Sequence, residues 1–168
     1  SACGFYALDR TSMLAGNSTN AQRFETPDVG LTFLAGAPVH WDSPMTPPPS
    51  GQNPMAMRMK DDGWWGVAED ALEFWELDID FSDSGNSSLS LVQELSVSPF
   101  ESELCGYTNW ACIEQPDGGQ PLDPLLEVLM NRVQYRNFGT HESIVCCHTT
   151  DVDGNDRAGI RWYELRRT

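Results

Sequence analysis

Apolar and polar residues alternate most clearly between positions 73 and 81 of the chain. The apolar members of this pattern are Trp75, Leu77, Ile79 and Phe81. The acidic members are Glu76, Asp78 and Asp80, with Asp83 shortly after them. Successive side chains of a strand point to opposite faces, so the pattern predicts an antiparallel strand with one buried face and one acidic face. The acidic stripe is interpreted either as a binding site for Ca²⁺ or a cationic glycan, or as a solvated edge that opposes aggregation.

Shorter apolar segments bounded by turn residues predict strands on both sides of this one. They cover residues 5–8, 22–26, 30–39, 54–60, 89–97, 142–149 and 159–166. Asp9 or Thr11 is expected to cap one helical turn that ends at Gly16. Residues 122–136 fit a helix or a strand, and we favour a turn or helix at 123–127 followed by a strand at 128–138.

These segments predict an all-β fold built from antiparallel β-meanders. Part of a β-propeller is the favoured architecture, and a β-sandwich is the alternative. A blade takes roughly 40–50 residues, so the 168 residues are expected to form a single unit of about three blades. Residues 43–54 are rich in proline and are expected to form a surface connector.

The net charge of −15 at neutral pH argues against nucleic acid or an anionic membrane as the main partner, because both would repel the protein. No apolar run approaches the ~18 residues of a membrane span. Lysine occurs only at position 60, whereas there are six tryptophans. Together with an expected disulfide, this composition favours a secreted, extracellular protein of bacterial type.

The five cysteines predict one local disulfide. Cys105 and Cys112 close a short segment rich in turn-forming residues, and they are interpreted as a disulfide or as two unrelated thiols. Cys146 and Cys147 are adjacent in an apparent strand, which predicts one buried thiol and one outward thiol. A zinc site is not expected, because the sequence lacks a C-x2-C pair.

The segment that begins at Asp151 has the Asp- and Gly-rich appearance of a calcium loop. Asp151, Asp153 and Asp156 supply the hard oxygen ligands that Ca²⁺ prefers. The twelfth position from Asp151 is Trp162 rather than Glu, so an EF-hand is excluded. A looser calcium site and a plain hairpin turn both remain open, and no other cofactor is expected.

Two further sets of side chains are candidates for ligand binding. Arg132, Arg136 and Arg161 are expected to form a patch that binds the carboxylate of a sialic acid or uronate, or to pair with neighbouring acids. Trp64 and Trp65 lie between glycines, where their rings would stack on a sugar or cover the end of a sheet.

The sequence gives weaker evidence for catalysis than for ligand binding. Glycoside hydrolysis needs two carboxylates about 5–10 Å apart, and the candidates are Glu142, Glu164, Asp9 and Asp123. Their spacing does not single out a pair. The sequence contains no nucleophile elbow, P-loop or dinucleotide-binding motif.

Several motifs in order along the chain carry a resemblance to a known group of proteins. They are Leu8-Asp9-Arg10, Trp75 with Asp78 and Asp80, Cys112-Ile113-Glu114-Gln115-Pro116, and much of residues 129–166. This arrangement resembles large uncharacterised secreted bacterial proteins of β-propeller, sialidase-like type. The resemblance implies that the chain is an internal portion of such a protein. It also implies a cysteine near Arg23 that would pair with Cys3; the cysteine is absent here, so Cys3 is expected to be free.

Taken together, the sequence predicts a secreted binding or surface-scaffold module without an identified ligand. The alternative is a carbohydrate-active enzyme, a glycoside hydrolase or sialidase-like protein, acting on extracellular glycans. The expected partners are the remainder of the parent chain or other subunits, with glycans or proteins as ligands. Two carboxylates and an arginine in one water-accessible pocket would favour the enzyme, whereas flat loops with exposed tryptophan would favour the binding module.

Overall fold

A computed structural model of the chain describes residues 2–27, 36–41, 46–65, 67–106 and 109–168, apart from the side chains of Trp64 and Trp65. The fold is 43% strand and 9% helix, which confirms the all-β prediction. The strands are β1 (Gly4–Ala7), β2 (Gln22–Glu25), β3 (Ala37–Trp41), β4 (Met55–Lys60), β5 (Ala71–Asp78), β6 (Ser88–Ser96), β7 (Val133–Asn137), β8 (Glu142–Asp151) and β9 (Ala158–Arg167). Two short α-helices, α1 (Arg10–Leu14) and α2 (Asp62–Trp65), join them. No helix in these ranges has the length and apolar character needed to span a membrane.

The strands form a small hairpin and one large sheet. β1 pairs with β2, and the other seven strands follow the order β6-β5-β4-β3-β7-β8-β9. All neighbours in this sheet are antiparallel except β3 and β7, which run parallel with Val39 opposite Val133. The sheet curls into a half-barrel, a shape consistent with part of a propeller or a sandwich. The expected antiparallel meanders are therefore joined edge to edge by one parallel pair.

The concave face of the half-barrel holds the main core. Its buried members are Met55, Met57, Met59, Leu72, Phe74, Leu129, Val133, Tyr135, Ile144 and Cys146. Side chains of β6 and β9 pack against this cluster, so both halves of the sheet share it. The apolar residues of alternate strand positions meet on this side, as a curled sheet requires.

The convex face of β4 and β5 is covered by the β1–β2 hairpin. Phe5, Ala7 and Phe24 from the hairpin pack on Trp75 and Leu77. As a result, every residue of β4 is buried and β5 is buried on both faces until its end. The sequence pattern predicted only one buried face, because acidic residues at alternate positions indicate a solvent-facing side. Glu73 is instead buried in an ion pair with Arg58.

A buried ion pair lies beneath the hairpin. Arg58 donates through Nε to Glu73 Oε2 at 2.7 Å and through Nη1 to Thr26 Oγ1 at 3.1 Å. The Trp75 indole Nε1 donates to the same Glu73 oxygen at 3.0 Å. Lys60 extends the network by an ion pair with Glu94. These contacts compensate the charges of Arg58 and Lys60, which lie on β4 in the protein interior.

The predicted strand at 73–81 ends earlier than expected. β5 ends at Asp78, and Phe81 is 44% exposed. Asp80 stops the strand because its side chain accepts hydrogen bonds from the backbone N–H groups of Ser82 and Asp83. The predicted strand at 128–138 is also shorter, beginning at Val133, and residues 126–127 form a turn rather than a helix.

The cysteine predictions agree with the structure. Cys105 and Cys112 form a disulfide, which confirms the local bridge. Cys3 and Cys146 are buried free thiols, and Cys147 is a half-buried one. The part of the proline-rich segment that the structure describes, from residue 46, runs along the surface. There the Pro47 carbonyl accepts a hydrogen bond from Asn137 Nδ2 at 2.8 Å.

Candidate functional site

A groove lies at one end of the concave face, between β5 and β6 on one side and β8 and β9 on the other. We call this groove the trough; its volume is about 540 Å³. It is lined by Met55, Phe74, Glu76, Val92, Gln93, Leu95, Tyr135, Glu142, Ser143, Ile144, Glu164, Leu165, Arg166 and Arg167. The floor belongs to the apolar core, and charged groups occupy the walls. The trough is therefore amphipathic and open to solvent.

Glu142 is the central charged group of the trough. Its Oε1 accepts a hydrogen bond from the Tyr135 hydroxyl, and its Oε2 accepts one from Arg167 Nε. The Arg167 hydrogen bond is the main reason that the pKa of Glu142 lies below its usual value. Burial and the hydrogen bond to Glu142 raise the pKa of Tyr135. At neutral pH, Glu142 is thus an ionised carboxylate and Tyr135 a neutral donor.

Glu76 faces this group from the opposite wall. It pairs with Met55 in the β4–β5 register, so its side chain lies on the concave face. Glu76 and Arg167 both line the trough, and the charge of Glu76 contributes to the raised pKa of Arg167. The concave side of the trough therefore holds two carboxylates and one guanidinium.

Glu164 and Arg166 border the trough, but their side chains belong to the other face. Glu164 pairs with Val145 and Arg166 pairs with Ser143, whereas the concave residues of β8 are Glu142 and Ile144. On the convex face Arg166 donates to both oxygens of Glu164, at 2.8 and 3.1 Å. This hydrogen bonding lowers the pKa of Glu164.

The four candidate catalytic acids are not brought together. Glu142 and Glu164 lie on opposite faces of the sheet, so they cannot flank one glycosidic bond. Asp9 caps α1 by accepting from the Thr11 N–H at 2.9 Å. Asp123 accepts from the Leu125 N–H at 2.8 Å in the loop before β7.

The expected arginine patch does not form as a single site. Arg136 is paired with Ser143 on the convex face, where its guanidinium lies over the Phe138 ring. Arg161 lies on the opposite face, where the strand register places it beside the buried His148. Its guanidinium donates to the Pro99 carbonyl at 2.9 Å. It also lies over the rings of Phe100 and Tyr163. Arg132 precedes β7. Arg136 and Arg161 therefore lie on opposite faces of the sheet, and carboxylate binding by the arginines stays a prediction.

The Asp-rich segment after Asp151 forms the hairpin turn between β8 and β9. Asp151 accepts hydrogen bonds from the N–H groups of Asp153, Gly154 and Asp156, at 2.9 to 3.0 Å. These bonds lower the pKa of Asp151. Asp156 accepts from the Cys105 N–H at 2.5 Å. The carboxylates are therefore occupied by backbone donors, as in an Asx-type turn, and the calcium site stays a sequence prediction.

The acidic stripe is divided among three structural roles. Glu76 lies in the trough and Asp78 is exposed at the end of β5. Asp80 and Asp83 accept hydrogen bonds within the following loop, and Asp83 caps the short 3-10 helix Ser84–Asn86. The single acidic face that the alternation predicted ends with the strand.

The role predicted for Trp64 and Trp65 stays a prediction. The side chains of Trp64 and Trp65 lie outside the described residues. The alternation did not single out Trp162 as a surface residue, yet it is 67% exposed on the convex face of β9. Its neighbour Ile160 on the same face is also exposed.

A buried acidic pair escaped the sequence analysis. Asp61 Oδ2 accepts from the N–H and the hydroxyl of Ser102, at 2.7 and 2.6 Å. Asp70 Oδ1 accepts from the Asp62 N–H at 2.7 Å. The Asp61 bonds attach Ser102 to the end of β4, and Asp70 Oδ2 also accepts from the Phe100 N–H at 2.5 Å. The sequence shows only an ordinary charged turn at this position, so no local signal identifies the role.

No protein-family model, no curated protein and no solved structure matches this chain. The resemblance to secreted propeller proteins therefore stays a prediction, and the function must be argued from the trough and its surroundings.

Proposed function

We propose that the protein is an extracellular binding module that takes up an extended polypeptide segment in the trough. The observation that carries this proposal is an open, amphipathic groove between the two outermost strands of a half-barrel. The segment would come from the remainder of the parent chain or from another subunit. It would complete the wall that the curled sheet leaves open between β6 and β9.

The character of the floor supports a polypeptide rather than a sugar. Aliphatic surface comes from Val92, which is half exposed, and from Leu95 and Leu165, which are partly exposed. The rings of Phe74 and Tyr135 are buried, at 8% and 2% exposure, so they cannot present a face to a sugar. Apolar side chains at alternate positions of a strand would instead enter the groove, while the strand backbone pairs with an open sheet edge.

Charge complementarity favours a basic segment. The concave side of the trough carries Glu76 and Glu142 against Arg167, and Arg167 is already hydrogen bonded to Glu142. The whole chain has a net charge of −15, so an acidic segment would be repelled.

The extracellular location is supported by the Cys105–Cys112 disulfide, which is compatible with an oxidising compartment. The propeller architecture is supported by the four-stranded antiparallel meander β3–β6, whose strand number matches one blade. We infer that the module is part of a larger secreted protein of this type.

A short synthetic peptide in which Val and Lys alternate tests the proposal. We expect it to bind more tightly than its Val-Glu counterpart in a fluorescence-anisotropy titration. Glu76→Gln should weaken binding about threefold, the effect of one partly exposed charge pair. Asp78→Asn is the matched control, because Asp78 lies on the same strand outside the trough. Equal affinity for both peptides, or an equal loss in the control, would contradict the proposal.

A carbohydrate-active enzyme is the second candidate, favoured by the presence of Glu76, Glu142 and Arg167 in one solvent-accessible groove. The lowered pKa of Glu142 opposes a role as general acid, since that role needs a proton at neutral pH. Hydrolysis of a panel of nitrophenyl glycosides, abolished by both Glu76→Gln and Glu142→Gln, would support the enzyme over the binding module.

A further inference from the structure

A second cavity shares no lining residue with the trough and differs from it in chemistry. Its volume is about 640 Å³, and it lies between α1, the start of β2 and the loop that follows β5. Most of its lining side chains carry a neutral hydroxyl or amide, among them Ser12, Asn20, Gln22 and Ser84. The charged side chains of the lining are Asp9 and Arg23, and Arg23 forms an ion pair with Glu25.

The two walls of the cavity are held in place and tied to each other. On one wall, the Asp9 N–H donates to Thr19 Oγ1 at 3.1 Å, which closes the loop after α1. On the other wall, Asp80 accepts hydrogen bonds from Ser82 and Asn86. Gln22 joins them, because its Nε2 donates to the Asp80 carbonyl at 2.7 Å. Polar groups fixed in this way bind a ligand with little loss of conformational entropy.

Two features of the cavity indicate the chemistry of a ligand. Phe81 lines the cavity with 44% of its surface exposed, so its ring offers an apolar face to solvent. Gln22 Oε1 is buried and has no hydrogen-bond partner within the described part of the chain. A buried amide oxygen without a donor is unfavourable. A ligand hydroxyl would satisfy it if the Gln22 side chain rotated to present this oxygen to the cavity.

We propose that this cavity is a binding site for a neutral sugar, with the ring stacked on Phe81 and its hydroxyls hydrogen bonded to the Ser, Asn and Gln side chains. A sugar combines an apolar ring face with many donors and acceptors, which matches an aromatic ring beside neutral polar groups. An anion is disfavoured by Asp9 and by the overall negative charge. An apolar ligand would leave the polar walls without partners.

Saturation-transfer NMR tests the site with the methyl glycosides of glucose, galactose, mannose and N-acetylglucosamine. We expect at least one of them to receive saturation at its ring protons. Phe81→Ala should lower its affinity about tenfold, the value of one aromatic stacking contact. Phe81→Tyr, which keeps the ring, should restore binding.

Phe138→Ala is the matched control, because Phe138 is similarly exposed but stacks on His141 in the β7–β8 turn. The proposal is overturned if no neutral glycoside receives saturation or if Phe81→Ala binds as well as the wild type. It is also overturned if methyl glucuronide binds as tightly as the neutral sugars. The result is independent of the trough, since none of these residues lines it.

Discussion

Arg58 is almost fully buried, with its guanidinium held by Glu73 and Thr26 under the β1–β2 hairpin. A buried ion pair adds little net stability compared with apolar residues, because both charges lose their hydration. Removing one partner is different, since it leaves an uncompensated charge in the interior. The side chain also lies over the Trp75 ring, so its loss disturbs packing as well as charge.

Arg58→Met should therefore lower the free energy of unfolding by about 3 kcal/mol or more. Urea denaturation followed by tryptophan fluorescence measures the change. Arg23→Met is the control, because its ion pair with Glu25 is largely exposed and should be worth about 1 kcal/mol or less. Equal effects of the two substitutions would show that Arg58 is not buried as described.

Glu127 is a carboxyl group that the fold holds in an unfavourable environment. Burial raises its pKa to about 7, and its Oε2 is buried without a hydrogen-bond partner in the described structure. A raised pKa means that the folded state retains a proton which the unfolded chain releases near pH 4.5. This residue therefore makes the protein lose stability as the pH rises from about 4.5 to 7.

Glu127→Gln should remove this contribution. The variant should gain stability relative to the wild type at pH 8 and gain little at pH 4, as measured by the urea midpoint at each pH. Glu114→Gln, at an exposed position, should show no such difference. A pH-independent change in Glu127→Gln would indicate a packing effect rather than titration.

At the scale of single residues, the sequence identified candidate residues better than it predicted which side chains contact one another. Cys105 and Cys112 were identified because a short segment of turn-forming residues allows few other geometries. Arg136 and Arg161 were grouped in one patch, although β7 and β9 present them to opposite faces, because the pairing that decides the face has no local sequence signal. The sequence did not predict the proposed sugar-binding cavity, because the alternation placed Phe81 on the buried face of its strand.

Among the elements, β4 and β5 show how a packed hairpin can bury a strand face that the alternation of residues predicts to be exposed. Their positions were predicted from alternation, but the hairpin that buries their convex face made Arg58 and Glu73 interior residues. β9 keeps a clearer alternation between partly buried and exposed positions along its length. Trp162 and Ile160 are exposed there.

The segment between β6 and β7 has little regular structure, and the Cys105–Cys112 disulfide constrains it. Such a bridge stabilises mainly by restricting the unfolded chain. Cys112→Ser should therefore lower the free energy of unfolding by about 2 kcal/mol, the value for a short closed loop. Adding a reductant to the wild type should reproduce the loss, and it should leave the variant unchanged. Intact-mass analysis showing five free thiols in the wild type would refute the bridge.

At the scale of the whole molecule, the class of fold could be predicted but the assembly of its sheet could not. The local strand pairs follow from turns and alternation. The β3–β7 pair joins residues separated by most of the chain, and parallel pairing leaves no turn signal. The trough depends on this junction, since its two walls come from the halves that it unites.

The β3–β7 junction also has a consequence for how the chain acquires its shape. Strands β4, β5 and β6 can pair as soon as they leave the ribosome. One edge of β3, in contrast, has no partner strand until β7 has been synthesised. Contacts between distant residues form slowly, because a long loop must be closed first. We expect maturation to end with the docking of two preformed halves, so a nascent chain halted before Val133 would be vulnerable to proteolysis along β3.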